Sequence, residues 1–156
     1  MLVYPDDTTH RARAHDAGGP RMSTQIFVNL PVKDLDASKA FYTALGFTVN
    51  EQFTDENASS IVISDTIYVM LLTEGFAKQF TTKAIADATT STEVVNALSV
   101  DSRAEVDRLA DAAFAAGASP VKEPQEEGGF MYSRSFADLD GHQWEVLHMD
   151  PSAFEG

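Results

Sequence analysis

The chain has 156 residues, 44% of them hydrophobic and 22% charged, which is typical of one globular domain with a substantial core. The formal net charge is −13. All of this excess follows residue 21, because three arginines and three aspartates balance within residues 1–21. A surface of this charge repels nucleic acid and anionic lipid, so we expect neither a nucleic-acid partner nor a membrane partner.

The sequence contains no cysteine, which excludes disulfides, a thiolate nucleophile and a cysteine zinc site. No apolar run reaches the roughly 18 residues that a membrane-spanning helix needs. The first residues lack the charged start and apolar stretch of a signal peptide. We therefore expect a cytoplasmic protein.

Residues 1–21 show no hydrophobic period and contain Gly-Gly-Pro near their end. We predict a disordered N-terminal extension over 1–21, a single domain over 22–150 and a short tail over 151–156. His10 and His15 fall in the extension, so we do not expect them to be ligands.

The first half of the domain begins with a short apolar strand, "QIFVNLPV". A helix is predicted to follow it, with Asp34 as N-cap and Gly46 as the glycine after its C-terminus. Three strand-like runs come next: "FTVNEQF", "ASSIVIS" and "TIYVMLLT". This order predicts one βαβββ unit over about residues 23–73.

Residues 74–91 are polar and rich in alanine, with Phe76 and Phe80 one helical turn apart. We interpret this segment as a linker with a little helix. The alternative is a lid over a pocket.

The second half repeats the plan over about residues 92–150. The strand "TEVVNALSV" precedes a helix with an S-x-x-E capping box at Ser102 and a terminal glycine at Gly117, and three more strand candidates follow. Val32 and Val100 stand at equivalent strand-to-helix junctions, 68 residues apart. The sequence therefore predicts an α+β fold built from two tandem βαβββ units.

Two stretches resemble the vicinal oxygen chelate superfamily of glyoxalases, bleomycin resistance proteins and dioxygenases. "IFVNLPVKDLDASKAFYTALGF" is similar to its opening, and "FADLDGHQWEV" is similar to its closing hairpin, with Leu139 in place of the usual proline. The resemblance covers about residues 23–150. It implies that the two units form an open, barrel-like trough, that some members hold a divalent metal there, and that the protein is a homodimer.

The resemblance also implies four positions for metal ligands in this chain: Phe27, Leu71 (Met70 if the register slips by one), Val95 and Glu145. Phenylalanine, leucine and valine offer no lone pair to a divalent cation. A slipped register would bring Asn29 or Asn96 nearby, but amides are poor ligands. We therefore expect no metal and no other cofactor. A divalent metal, also one shared across a subunit interface, is the disfavoured alternative.

The two histidines of "HQWEVLHM" do not rescue a metal site. Side chains alternate along a strand, so His142 and His148 share one face while Glu145 points to the other. Six residues of strand separate the two histidines by roughly 20 Å. We expect His142 at the hairpin exit and His148 as a strand-end residue or a dimer contact.

We expect six residues to line a small-molecule pocket, unless they only fill the core: Phe27, Asn29, Leu71, Val95, Arg134 and Glu145. Glu145 is a candidate general base or a carboxylate held by hydrogen bonds. Arg134 is a candidate partner of Glu145 or an anchor for an anionic ligand. No nucleophile–base pair and no phosphate-binding loop stands out. These features favour a small-molecule binding or sequestering protein without a metal. The alternative is a metal-dependent lyase or isomerase of the lactoylglutathione lyase type.

Overall fold

The computed structural model describes residues 23–154, so the expected extension over 1–21 lies outside the described residues. The first half contains β1 (Ile26–Val32), α1 (Leu35–Ala44), β2 (Thr48–Asn50), β3 (Ala58–Val62) and β4 (Ile67–Thr73). These strands form a four-stranded sheet in the order β1-β4-β3-β2. β1 runs parallel to β4, and the other pairs are antiparallel.

The second half contains β5 (Val95–Ser99), α3 (Arg103–Ala115), β6 (Ser119–Pro120), β7 (Gln125–Glu127), β8 (Met131–Ala137) and β9 (Gln143–Met149). They form a five-stranded sheet in which β5 runs parallel to β9, and both β6 and β7 pair with β8. The predicted duplication and α+β class are confirmed. One strand more is present than predicted. Of the expected strand "SPVKEP" only Ser119–Pro120 forms a strand, and β7 follows directly after Pro124, which cannot donate to a ladder.

A short helix, α2 (Glu74–Ala77), and a 3₁₀ turn (Lys78–Phe80) follow β4. The rings of Phe76 and Phe80 pack edge to face, with centroids 5.1 Å apart. Residues 81–94, which we call the cover segment, then lead to β5 without helix or strand. The last element is a 3₁₀ turn over Pro151–Phe154. Within residues 23–154 no helix is long and apolar enough to cross a membrane.

Both long helices begin at the predicted caps. The Asp34 carboxylate accepts a hydrogen bond from the Ala37 amide, and the Ser102 hydroxyl accepts one from the Glu105 amide, each at 3.0 Å. The capping box is only half formed, because the Glu105 carboxylate binds Arg108 instead of the backbone.

One hydrophobic core joins the two halves. It is formed by buried residues of α1 and α3 together with one face of each sheet. We call these the helix-facing sheet faces and the opposite ones the helix-free faces. Its buried residues are Leu30, Val32, Phe41, Tyr42, Leu45, Ile61, Val69, Leu71, Val106, Leu109, Ala113, Phe136, Trp144 and Val146.

The turn between β8 and β9, residues 138–142, fastens the second half to the first. We call it the clasp. The Asp140 carboxylate accepts hydrogen bonds from the Lys33 amide at 2.9 Å and the Ser38 hydroxyl at 3.1 Å. Nε2 of His142 lies 2.7 Å from the carbonyl oxygen of Pro31, and it must donate because a carbonyl only accepts. The two motifs that suggested the family are therefore bonded to each other.

A buried polar group stands beneath the clasp. The Tyr42 hydroxyl donates to the Asp138 carboxylate at 2.5 Å and accepts from the Trp144 indole at 3.0 Å. Burial is the main cause that raises the pKa of the Asp138 carboxyl, and the hydrogen bond from Tyr42 opposes this shift. Burial and the nearby Asp138 charge raise the pKa of Tyr42 well above its usual value.

Candidate functional site

The helix-free face of the first sheet carries two of the expected pocket residues. Phe27 stacks on Tyr68 with ring centroids 4.9 Å apart, and Asn29 lies in register with Met70. Phe27 also packs against a small second cluster that contains Met70, Phe76 and other residues of β3, β4 and α2. The helical turn after β4 and Ile85 of the cover segment thus lie over this face.

Leu71 does not belong to the pocket, and this expectation is corrected. Its side chain is fully buried in the main core, beside its neighbour in register, Leu30. A shift of one residue along a strand turns a side chain to the other face. The β4 residue that shares a face with Phe27 and Asn29 is therefore Met70.

Val95 and Glu145 lie together on the helix-free face of the second sheet. Glu145 pairs in register with Ala97 on one side and Ser135 on the other, and Val95 is 44% exposed. The hydroxyl of Ser135 is buried and has no hydrogen-bond partner in the part of the chain that the structure describes. This face thus joins a partly exposed carboxylate to an unsatisfied hydroxyl.

Arg134 points the other way, which corrects its assignment as a pocket residue, as a partner of Glu145 and as a ligand anchor. It lies in register with Val146, on the helix-facing side of β8. Its guanidinium donates to Asp111 at 2.8 Å and Asp107 at 3.1 Å and lies over the ring of Phe114. Arg134 therefore holds α3 on the sheet.

The histidines also have structural partners. His142 belongs to the clasp, and Nδ1 of His148 donates to the Val100 carbonyl at 2.8 Å. Both lie on the face opposite Glu145, as strand alternation predicts. Across residues 23–154, no group of three histidine, aspartate or glutamate side chains could hold a metal ion.

A cleft opens where the edges of the two sheets meet. Its volume is about 270 Å³, and β1, β5 and the cover segment form its walls; the lining residues are Asn29, Leu30, Pro31, Thr81, Lys83, Ala84, Ile85, Ala86, Ala88, Ser91, Thr92, Glu93, Val94, Asn96, Gly141, His142 and Gln143. A smaller cavity of about 130 Å³ continues it towards Lys33 and Asp140 and shares five lining residues. Of the expected pocket residues, only Asn29 lines this cleft.

The clasp and the cover segment touch at one glycine. Gly141 has a φ of +90°, and a Cβ there would lie 2.7 Å from the carbonyl of Ala88 and the amide of Thr89. Glycine at this position thus permits both the turn and the close approach of the cover segment. The Asp-Gly pair of the sequence predicted the turn but not the approach.

Two polar side chains of the cleft were not among the pocket residues predicted from the sequence. Asn96, half-buried, and Gln143 line it from neighbouring strands. Among the described residues neither amide forms a hydrogen bond with another protein group. Asn96 could have been noticed as the single amide inside the apolar run "VVNALSV", but Gln143 reaches the cleft only through tertiary pairing.

The fold and its cleft define a duplicated α+β protein with two sheets joined edge to edge by a polar clasp. The profile of the family described as bleomycin resistance protein-like N-terminal matches residues 24–64. No curated protein matches the chain. The solved structure of hypothetical protein SA1046 from S. aureus is 34% identical, with 82% of this chain and 95% of that chain covered and a TM-score of 0.67.

Two further solved structures share the fold. A glyoxalase/bleomycin resistance protein/dioxygenase family enzyme from Burkholderia phytofirmans PsJN is 20% identical, with 81% and 99% of the two chains covered and a TM-score of 0.67. A bleomycin resistance determinant encoded on the transposon Tn5 is 19% identical, with 81% and 98% covered and a TM-score of 0.57. The chain belongs to the vicinal oxygen chelate superfamily, the glyoxalase/bleomycin resistance/dioxygenase group.

Proposed function

We propose that the protein binds or sequesters a small molecule and does so without a metal. The main support is the chemistry of the four positions at which the family resemblance implies metal ligands. On the helix-free faces of the two sheets these positions hold Phe27, Met70, Val95 and Glu145. One carboxylate cannot assemble a site for a divalent ion, and a thioether suits soft ions such as Cu(I). This set of side chains does not fit a divalent metal ion.

The cleft between β1 and β5 supports the binding part of the proposal. Ligand sites are typically apolar cavities with a few polar groups that fix orientation. Here Pro31, Ile85 and Val94 supply apolar surface, while Asn96 and Gln143 supply side-chain amides that no other group within residues 23–154 hydrogen-bonds. A bound molecule would satisfy these amides.

The metal-free part is tested by elemental analysis of the purified protein and by melting curves with Mg²⁺, Mn²⁺, Ni²⁺ and Zn²⁺. We expect no stoichiometric metal, no specific shift in melting temperature and no turnover of glutathione with methylglyoxal. Glu145→Gln is compared with Glu127→Gln, a matched change at an exposed site. A melting shift that only Glu145→Gln abolishes would overturn the proposal and favour the lyase alternative.

The binding part is tested by native mass spectrometry of protein purified without denaturation, followed by release and identification of any bound molecule. We expect a co-purifying small molecule that is lost in Asn96→Leu. Gln52→Leu, at an exposed position that does not line the cleft, should retain the bound molecule. Equal retention in the two variants would show that the cleft is not the site.

We also propose that the protein is a homodimer. Val95 and Met149 leave large apolar side chains on the helix-free face of the second sheet, 44% and 41% exposed. Light scattering during gel filtration should give twice the chain mass of 16.9 kDa. Val95→Glu should shift the mass towards the monomer, while Thr48→Glu, on the other sheet, should not. A monomeric wild type would contradict the proposal.

A further inference from the structure

The duplication creates two equivalent junctions between the halves, and only the first is fastened by the clasp. In the first junction, the clasp packs on the strand-to-helix connection of the first half, as Asp140 and Lys33 show. With the 68-residue offset, the equivalent connection of the second half is 99–102. The β3–β4 turn, residues 63–66, faces that connection, because Ser64 and Ser99 line one common cavity.

This second junction holds a cavity of about 510 Å³. The sequence explains why this cavity is not filled. The β3–β4 turn is one residue shorter than the clasp, and it places no buried carboxylate in the second junction. The offset also puts Ala110 where α1 has Tyr42, and the strand registers put Val69 where β9 has Trp144. Small side chains therefore replace the aromatic pair that fills the first junction.

The cavity is lined mainly by apolar side chains, and they come from both halves: Phe47, Ile63, Ile67, Leu98, Val100 and Leu109. Three charged groups stand at its rim. Arg108 and Glu105 neutralise each other through a bidentate hydrogen bond, and Arg108 also donates to the Leu45 carbonyl. Asp101, an exposed carboxylate, makes no ion pair or side-chain hydrogen bond within residues 23–154.

We infer that this cavity is a second ligand site, separate from the cleft, and that it takes a small organic cation with an apolar body. The volume falls within the range of about 300–1,000 Å³ usual for ligand cavities. The apolar walls bury the body of the ligand, and Asp101 pairs with its ammonium group. The net charge of −13 raises the local concentration of cations and disfavours anions.

The inference is tested by titrating the full-length ¹⁵N-labelled protein with three probes of one shape: 2-phenylethylamine, 2-phenylethanol and 3-phenylpropionate. We expect the amine to bind most tightly and the carboxylate least. Amide shifts should concentrate at residues 63–67 and 99–102, away from the cleft residues Asn96 and Gln143.

Two variants complete the experiment. Asp101→Asn should weaken amine binding about three- to fivefold and leave alcohol binding unchanged, as expected for one partly exposed ion pair. Asp36→Asn removes the same charge from α1, outside the cavity, and should change neither. Equal affinity for all three probes, no effect of Asp101→Asn, or shifts confined to the cleft would overturn the inference. Amide shifts of the cleft residues are measured separately from those of the second cavity. The second site can therefore be refuted without refuting the proposed function, and the proposed function can be refuted without refuting the second site.

Discussion

Removing one hydroxyl, in Tyr42→Phe, should destabilise the protein strongly. Tyr42 is 1% exposed, and its hydroxyl satisfies both the Asp138 carboxylate and the Trp144 indole, which are also buried. Each buried polar group left without a partner costs about 1–3 kcal/mol. The Asp138 carboxylate keeps the hydrogen bonds that its Oδ1 accepts from the Asp140 and His142 amides. We therefore expect a loss of about 2–4 kcal/mol, a large share of the roughly 5–15 kcal/mol that stabilises an ordinary domain. For a domain of this size that is a fall of about 10 °C in Tm.

Urea unfolding followed by far-ultraviolet circular dichroism measures this loss. The fluorescence of Trp144, the single tryptophan of the chain, gives a second probe inside the group itself. Tyr68→Phe is the matched control, because the Tyr68 hydroxyl donates to the Asp65 carbonyl near the surface and should cost under about 1 kcal/mol. If the two variants differed from the wild type equally, the buried hydrogen bonds would not be the source of stability.

Three further predictions concern the same framework. The pKa of the Asp138 carboxyl, measured by ¹³C NMR, should lie above its usual value and rise further in Tyr42→Phe. Because the pKa is higher in the folded than in the unfolded state, the wild type should gain stability relative to Asp138→Asn as the pH falls through the folded-state pKa. A lowered pKa of Asp138 would contradict this. Gly141→Ala should cost about 1–3 kcal/mol and speed tryptic cleavage at Lys83, whereas Gly75→Ala, with open space around it, should not; unchanged cleavage would show that the glycine does not hold the cover segment. Ser135→Ala should be neutral or stabilise by up to about 1 kcal/mol, and a clear loss would reveal an unseen partner.

Sequence patterns were sufficient where local physics decides the structure. The caps at Asp34 and Ser102 were predictable because short polar side chains before an apolar period satisfy free amides. The face of Glu145 was predictable because successive side chains of a strand point to opposite faces, which separates Glu145 from His142 and His148 in "HQWEVLHM".

The same patterns failed where a strand is covered on both sides. "IYVMLLT" is apolar throughout, because the main core covers one face and the helical turn after β4 covers the other, so alternation could not separate Met70 from Leu71. The prediction for Arg134 was wrong for a different reason. Its partners Asp107 and Asp111 lie on a helix more than twenty residues away, and only tertiary packing brings them together.

The clasp also imposes an order on folding. Its bonds join residues 96, 107 and 111 positions apart, so the first half lacks these partners until the last hairpin exists. At a synthesis rate of about 5–20 residues per second, Asp138 is added roughly 5–20 s after Tyr42, so the hydroxyl lacks its carboxylate partner for that time. Contacts of such long sequence separation slow folding, because loop closure must precede their gain. The final hairpin thus decides when the nascent chain can complete its core.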